Sequence, residues 1–98
     1  MEPIELNGKR FRLIRDYRSA WKFDDFKRRY SDILDKYDLI VGDWGYNQLR
    51  LKGFFYDDHA RATPNTKASH IEEYLNEFCN FDCAYFILER ERKETSST

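Results

Sequence analysis

The stretch YDLIVGDWGYNQLRLKGFF, Tyr37 to Phe55, packs a continuous apolar run, a glycine-flanked corner and an alternating segment into nineteen residues. Leu39-Ile40-Val41 is short, uninterrupted and apolar, as expected of a strand covered on both faces. Asn47 to Phe54 alternates instead: Leu49 and Leu51 point one way, Gln48, Arg50 and Lys52 the other. Gly42 and Gly45 bracket Asp43-Trp44, which predicts a turn or bulge there. A chain carrying this stretch must build a sheet in which two successive strands are joined by a tight corner.

The flanks extend that sheet. Ile4 to Leu6, Asn7-Gly8 and Lys9 to Arg15 read as a hairpin, because Asn-Gly supplies the positive φ values of a two-residue type I′ turn. Asp16 to Lys22 is a connection anchored by Trp21. Phe23, Phe26, Tyr30, Ile33, Leu34 and Tyr37 fall on one face of a helix, with acidic residues in its first turn and most of its charge elsewhere. After a loop over Tyr56 to Ala68, Ser69 and Glu72 have capping-box spacing, and the following helix carries Ile71, Tyr74, Leu75 and Phe78. Ala84 to Leu88 has high β propensity, and a charged run follows it.

The order is therefore ββ-α-ββ-α-β, an α+β domain with a mixed, largely antiparallel sheet and two covering helices. Residues 1–92 read as one domain and residues 93–98 as a flexible tail. Eight Phe, seven Tyr and two Trp supply enough large apolar surface to form a core without a disulfide or a metal. No apolar run approaches the ~20 residues of a membrane span. The opening MEPIELNGKR lacks the pattern of a secretory signal, so a cytoplasmic setting with no membrane association is expected.

The strings YDLIVGDWGYNQLRLKGFF and EFCNFDCAYFIL resemble those of the YutD-like family, also catalogued as a domain of unknown function. The likeness runs from Ile14-Arg15-Asp16-Tyr17 through Leu88, and departs at Asp82, where the family pattern carries Gly. It implies an α/β fold and a bacterial cytoplasmic setting. It implies no activity, and no functional residue transfers with it.

Net charge is −1, which argues against bulk attraction to polyanions. The distribution is uneven: Lys9 to Arg29 holds nine Lys/Arg against three Asp/Glu. Arg10 and Arg12 share one strand face, and Arg50 and Lys52 share another beside Tyr46. Were these strands neighbours, a basic stripe with an aromatic end would result, suited to phosphate and to an unpaired base of RNA. However, no RNP motif, KH loop or CxxC pair is present.

Aromatic residues with Arg are also favoured anchors of protein interfaces. A non-enzymatic module that binds a protein partner is the expected function, with RNA as the alternative. The expected surface comprises Asp43, Trp44, Tyr46, Gln48, Arg50 and Lys52 together with Arg10 and Arg12.

Catalysis would need Asp43 to converge with Asp57, Asp58 or His59 from the long loop, and no catalytic residue is assigned. Asp43 has a simpler role as a cap accepting backbone N–H bonds at the glycine-flanked corner. Cys79 and Cys83 read as small buried apolar residues, with a disulfide or a metal left open. No metal or cofactor is assigned.

Overall fold

The computed structural model describes residues 4–78 and 83–91. Strands β1 (Ile4–Leu6), β2 (Lys9–Tyr17), β3 (Leu39–Gly45), β4 (Gln48–Phe54) and β5 (Tyr85–Glu91) form one sheet in the order β1-β2-β5-β3-β4. Every strand pair is antiparallel. The parallel component expected of a mixed sheet is limited, among the described residues, to a bridge between Phe55 and Lys67. Strand β5 comes last in sequence yet sits in the middle of the sheet. It also continues through Glu89, Arg90 and Glu91, beyond the end expected at Leu88. The expected tail, residues 93–98, lies outside the described residues.

Residues paired across antiparallel strands point to the same face, so the register divides the sheet cleanly. Phe11, Leu88, Phe86, Ile40 and Leu49 face one side and pack there with Ala20, Phe26 and Leu34. Helix α1 (Phe23–Arg29) and a 3₁₀ turn at Asp32–Lys36 lie on that side. Leu39, Val41 and Phe54 face the opposite side and pack against Ile71 and Tyr74 of helix α2 (Ile71–Phe78). The two covering helices therefore occupy opposite faces, each over its own apolar cluster.

The helix expected over Phe23 to Tyr37 is interrupted. Tyr30 is extended, at φ −66° and ψ 140°, and ends α1. Ser31 then accepts from the Ile33 N–H, and the Tyr30 hydroxyl donates to Asp35 at 2.5 Å. These local polar bonds offer the backbone an alternative to the helix ladder. The break turns Ile33, expected in the core, out to solvent at 74% exposure.

The glycine-flanked corner also resolves differently. Asp43 and Trp44 belong to β3, and the chain reverses one step later, at Tyr46 and Asn47, which have φ values of 56° and 64°. Gly45 pairs with Gln48 across that two-residue turn. Gly42 is there for space: a Cβ on it would lie 2.2 Å from Cζ of Phe86.

Strand β2 runs two residues past the expected Arg15, through Tyr17, so the connection expected over Asp16 to Lys22 begins at Arg18, with Trp21 anchoring it as expected. Asp16 Oδ1 accepts from the Ala20 and Trp21 N–H groups at 2.7 and 3.2 Å, and Trp21 packs edge-on against Phe86. The capping box expected at Ser69 does not form. A 3₁₀ turn at Ala68–His70 precedes α2, and the Ser69 N–H donates to Asp57 Oδ1 at 2.9 Å. That bond from the Ser69 N–H is the main reason the Asp57 carboxyl sits below its usual pKa.

Candidate binding site

Asp43 is an acidic residue on a strand covered by α2, and it is 0% exposed. An isolated carboxylate in that position would cost several kcal/mol, so its partners decide whether it is tolerated. Arg50, directly opposite on β4, donates to Asp43 Oδ2 at 2.5 Å, and the Tyr74 hydroxyl donates to Oδ1 at 3.3 Å. Burial, and then the Asp43 charge, pushes the Tyr74 phenol up to about 12. The hydrogen bond to Asp43 raises the pKa of Arg50.

Arg50 donates a further bond, at 3.0 Å, to the carbonyl of Phe78 in the last turn of α2. A cation there satisfies a terminal carbonyl and suits the negative end of the helix dipole. Asp43, Arg50 and Tyr74 thus tie β3, β4 and α2 together. The expected role of Asp43 as a cap for a glycine-flanked corner is replaced by this one, because the residue lies within a strand and its carboxylate points at α2.

Arg50 is not consumed by that role, since its side chain is 49% exposed. It lines an open groove of about 590 Å³ with Trp44, Tyr46 and Gln48, closed on the other side by Glu77 and Phe78 of α2. Trp44 is held in place by its indole N–H, which donates to the Ala20 carbonyl at 2.9 Å. Tyr46 is fully exposed at the turn. Four of the residues expected at the surface therefore border this groove, but the register divides their side chains: Arg50 shares the α2 face with Asp43, whereas Trp44 pairs with Leu49 and turns its indole to the α1 face.

The other three do not join them. Strands β5 and β3 separate β2 from β4, so Arg10 and Arg12 cannot extend a stripe from Arg50 and Lys52. The adjacency such a stripe requires is absent, because β5 inserts beside β2. Arg10 pairs with Glu5 at 3.3 Å and Arg12 with Glu89. The hydrogen bond to Glu89 raises the Arg12 pKa, and Glu89 is held low chiefly by its hydrogen bond from Tyr56 and then by that from Arg12. Lys52 lies over the Phe54 ring, 5.3 Å from its centroid.

Glu77 and Phe78 were not legible as site residues. Phe78 sits four residues after Tyr74, its ring centroid 5.2 Å away, and that spacing reads as core. Only the position of α2 on the sheet shows that the helix ends at the groove.

The acid–base alternative finds no shared cleft. Asp43 is enclosed by Arg50 and Tyr74, whereas Asp57 is bound to Ser69 and His59 stacks on Phe55 at 4.4 Å. Among the described residues, no three His, Cys, Asp or Glu side chains gather as metal ligands. Cys79 lies outside those residues. No helix among them is long and apolar enough to cross a membrane.

Comparison with known proteins places this architecture. Residues 5–89 match a family model described as "Putative antitoxin YutD-like". A Bacillus subtilis (strain 168) protein described as "Putative antitoxin YutD" is 54% identical over 90 residues, spanning 92% of this chain and 99% of that one. The solution NMR structure of protein yutD from B. subtilis superposes with a TM-score of 0.80 at 53% identity. It covers 95% of this chain and 84% of the other.

Proposed function

Because this chain belongs to the YutD-like family, we propose that it is a non-enzymatic accessory module that docks a protein partner at the β3–β4 corner. One observation carries this reading. Tyr46 is a bulky aromatic, fully exposed, in a left-handed turn at φ 56°. That conformation costs an ordinary L-residue about 1–2 kcal/mol, which Gly would avoid and Asn reduce. Neither burial nor backbone preference accounts for a tyrosine there, and strained exposed residues of this kind cluster at functional sites.

The surroundings supply what an interface anchor needs. Tyr46 stands at the turn, Arg50 is oriented by Asp43 on the α2 face with Phe78 closing the groove there, and Trp44 is fixed through Ala20 on the α1 face of the same corner. Large side chains that are already immobilised lose little entropy on binding. Trp, Tyr and Arg are the residue types that most often dominate binding energy. The relative's description as an antitoxin is in keeping with a protein partner. A cytoplasmic setting is part of the same proposal.

Affinity capture from a native bacterial lysate tests it, run with and without nuclease and at low and high salt. Wild type and Tyr46→Asn are compared, because Asn suits the turn and preserves folding. The expected result is a protein retained by wild type, indifferent to nuclease, and lost from the variant. Retention that disappears with nuclease and falls steeply with salt would identify RNA as the partner. Identical retention by both proteins would remove the corner from consideration.

A further inference from the structure

Helix α2 is eight residues long and covers only part of its sheet face, packing over Leu39, Val41 and Phe54. The β5–β2 half of that face carries no helix among the described residues. Between α2 and these strands runs an open groove of about 460 Å³, within the usual range of roughly 300–1,000 Å³ for binding clefts. Leu39, Ile87 and Ile14 line the sheet side and Leu75 the helix side. Ile14 falls where the β2–β5 register slips, between Leu13 and Arg15, and it is 49% exposed. A bulge re-aims the side chain it carries, and here it leaves an isoleucine lining the groove.

The two walls carry opposite charge. Arg15 stands on the β2 wall and Glu72 on the α2 wall. Among the described residues neither makes an ion pair, and the polar contact of Arg15 is with the Tyr85 hydroxyl at 3.4 Å. The chemistry disfavours nucleic acid. Glu72 repels phosphate on one wall, and the Tyr17 ring beside the groove is already engaged, with the Tyr85 centroid 5.4 Å away and Arg18 5.5 Å over it. Arg12 is already tied to Glu89.

We propose that this groove receives an amphipathic helix of a partner protein, lying beside α2 with an acidic flank toward Arg15 and a basic flank toward Glu72. Its apolar side chains, at i, i+3 or i+4 and i+7, rest on Ile14, Ile87 and Leu75. Such a helix would complete the second layer of this sheet face at the usual interaxial spacing of about 8–10 Å. The groove shares no lining residue with the corner that holds Tyr46, and the two surfaces are independent.

The test is a methyl NMR titration of the whole protein with two synthetic helical peptides. Both carry a Leu stripe; one has Glu and Lys flanks in the matching order and the other has them exchanged. Saturable shifts of the Ile14, Ile87 and Leu75 methyls are expected with the matched peptide, and binding about fivefold weaker with its mirror. Arg15→Glu/Glu72→Lys should reverse that preference, and Tyr46→Asn should leave it unchanged.

The proposal is overturned if neither peptide gives saturable shifts or if both bind equally. It is also overturned if the same methyls shift with protein concentration alone, which would make a second copy the occupant. Preferential response to a single-stranded oligonucleotide would overturn it as well.

Discussion

Gly42→Ala should be among the most destabilising single-methyl changes available in this chain. The added Cβ would lie 2.2, 2.5 and 2.8 Å from three atoms of the Phe86 ring, far inside van der Waals contact. Phe86 cannot simply withdraw. It is fully buried, with Trp21 edge-on at 5.1 Å and Phe26 at 6.4 Å between centroids. Overpacking a well-filled core costs about 1–3 kcal/mol and occasionally more. A ring clamped by two aromatic neighbours puts this substitution at the upper end, about 3 kcal/mol. For a domain of this size that lowers Tm by roughly 12–24 °C.

Urea denaturation followed by far-UV circular dichroism measures the change, with the midpoint falling at unchanged slope. Gly45→Ala is the control. A Cβ there meets nothing within 4 Å, so its effect should stay within about 0.5 kcal/mol. If instead Gly45→Ala were the damaging change and Gly42→Ala were tolerated, the glycines would be serving a turn, and the strand assignment of Asp43 and Trp44 would be wrong. Phe86→Leu in the Gly42→Ala background should recover part of the loss, since it removes ring atoms from the clash.

Tyr74→Phe deletes one of the two donors to the buried Asp43 carboxylate and should cost about 1–3 kcal/mol by urea denaturation; an unchanged midpoint would mean Arg50 alone suffices. On the alkaline side, Tyr56 and Tyr74 both have pKa values raised from 10.0 to about 12, each chiefly by burial. A folded pKa raised above its unfolded value gives stability that is complete below the unfolded pKa and lost as pH rises through the folded one. Stability should therefore fall between about pH 10 and 12, and Tyr56→Phe/Tyr74→Phe should flatten that fall in melts monitored across the range. Glu89 behaves in the opposite sense. Its pKa is lowered from 4.5 by Tyr56 and Arg12, so its contribution is present above that value and disappears as pH drops below it, a loss that Glu89→Gln should abolish. Finally, Tyr46→Asn should raise stability by about 0.5–1 kcal/mol by relieving left-handed strain, even as it removes partner binding.

Much of this fold is legible in local pattern. The apolar run at Leu39–Val41, the alternation through Lys52 and the Asn-Gly hairpin specify strands because pleat and turn geometry act over a few residues. The type of each element, their order and the α+β class follow from that. The interruption at Tyr30 leaves no such mark in the pattern. The apolar stripe continues at helical spacing, and only the Ser31 and Tyr30 side-chain bonds divert the backbone. Gly42 is ambiguous for a different reason: a glycine demanded by a distant ring and a glycine demanded by a turn look the same along the chain.

At the candidate site, Trp44, Tyr46, Gln48 and Arg50 are near one another in sequence, and a hairpin keeps them at one corner whatever the rest of the chain does, although the pleat sends Trp44 and Arg50 to opposite faces. What tertiary structure alone decided is which distant segments come to meet them. Insertion of β5 between β2 and β3 separates Arg10 and Arg12 from Arg50 and Lys52, and it gives Arg12 a carboxylate partner in Glu89. Docking of α2 brings Tyr74 onto Asp43 and Phe78 to the rim of the groove. Strand order and helix placement arise from burying two separate apolar clusters on opposite faces of one sheet. That optimum belongs to the whole chain, and no window of neighbouring residues contains it.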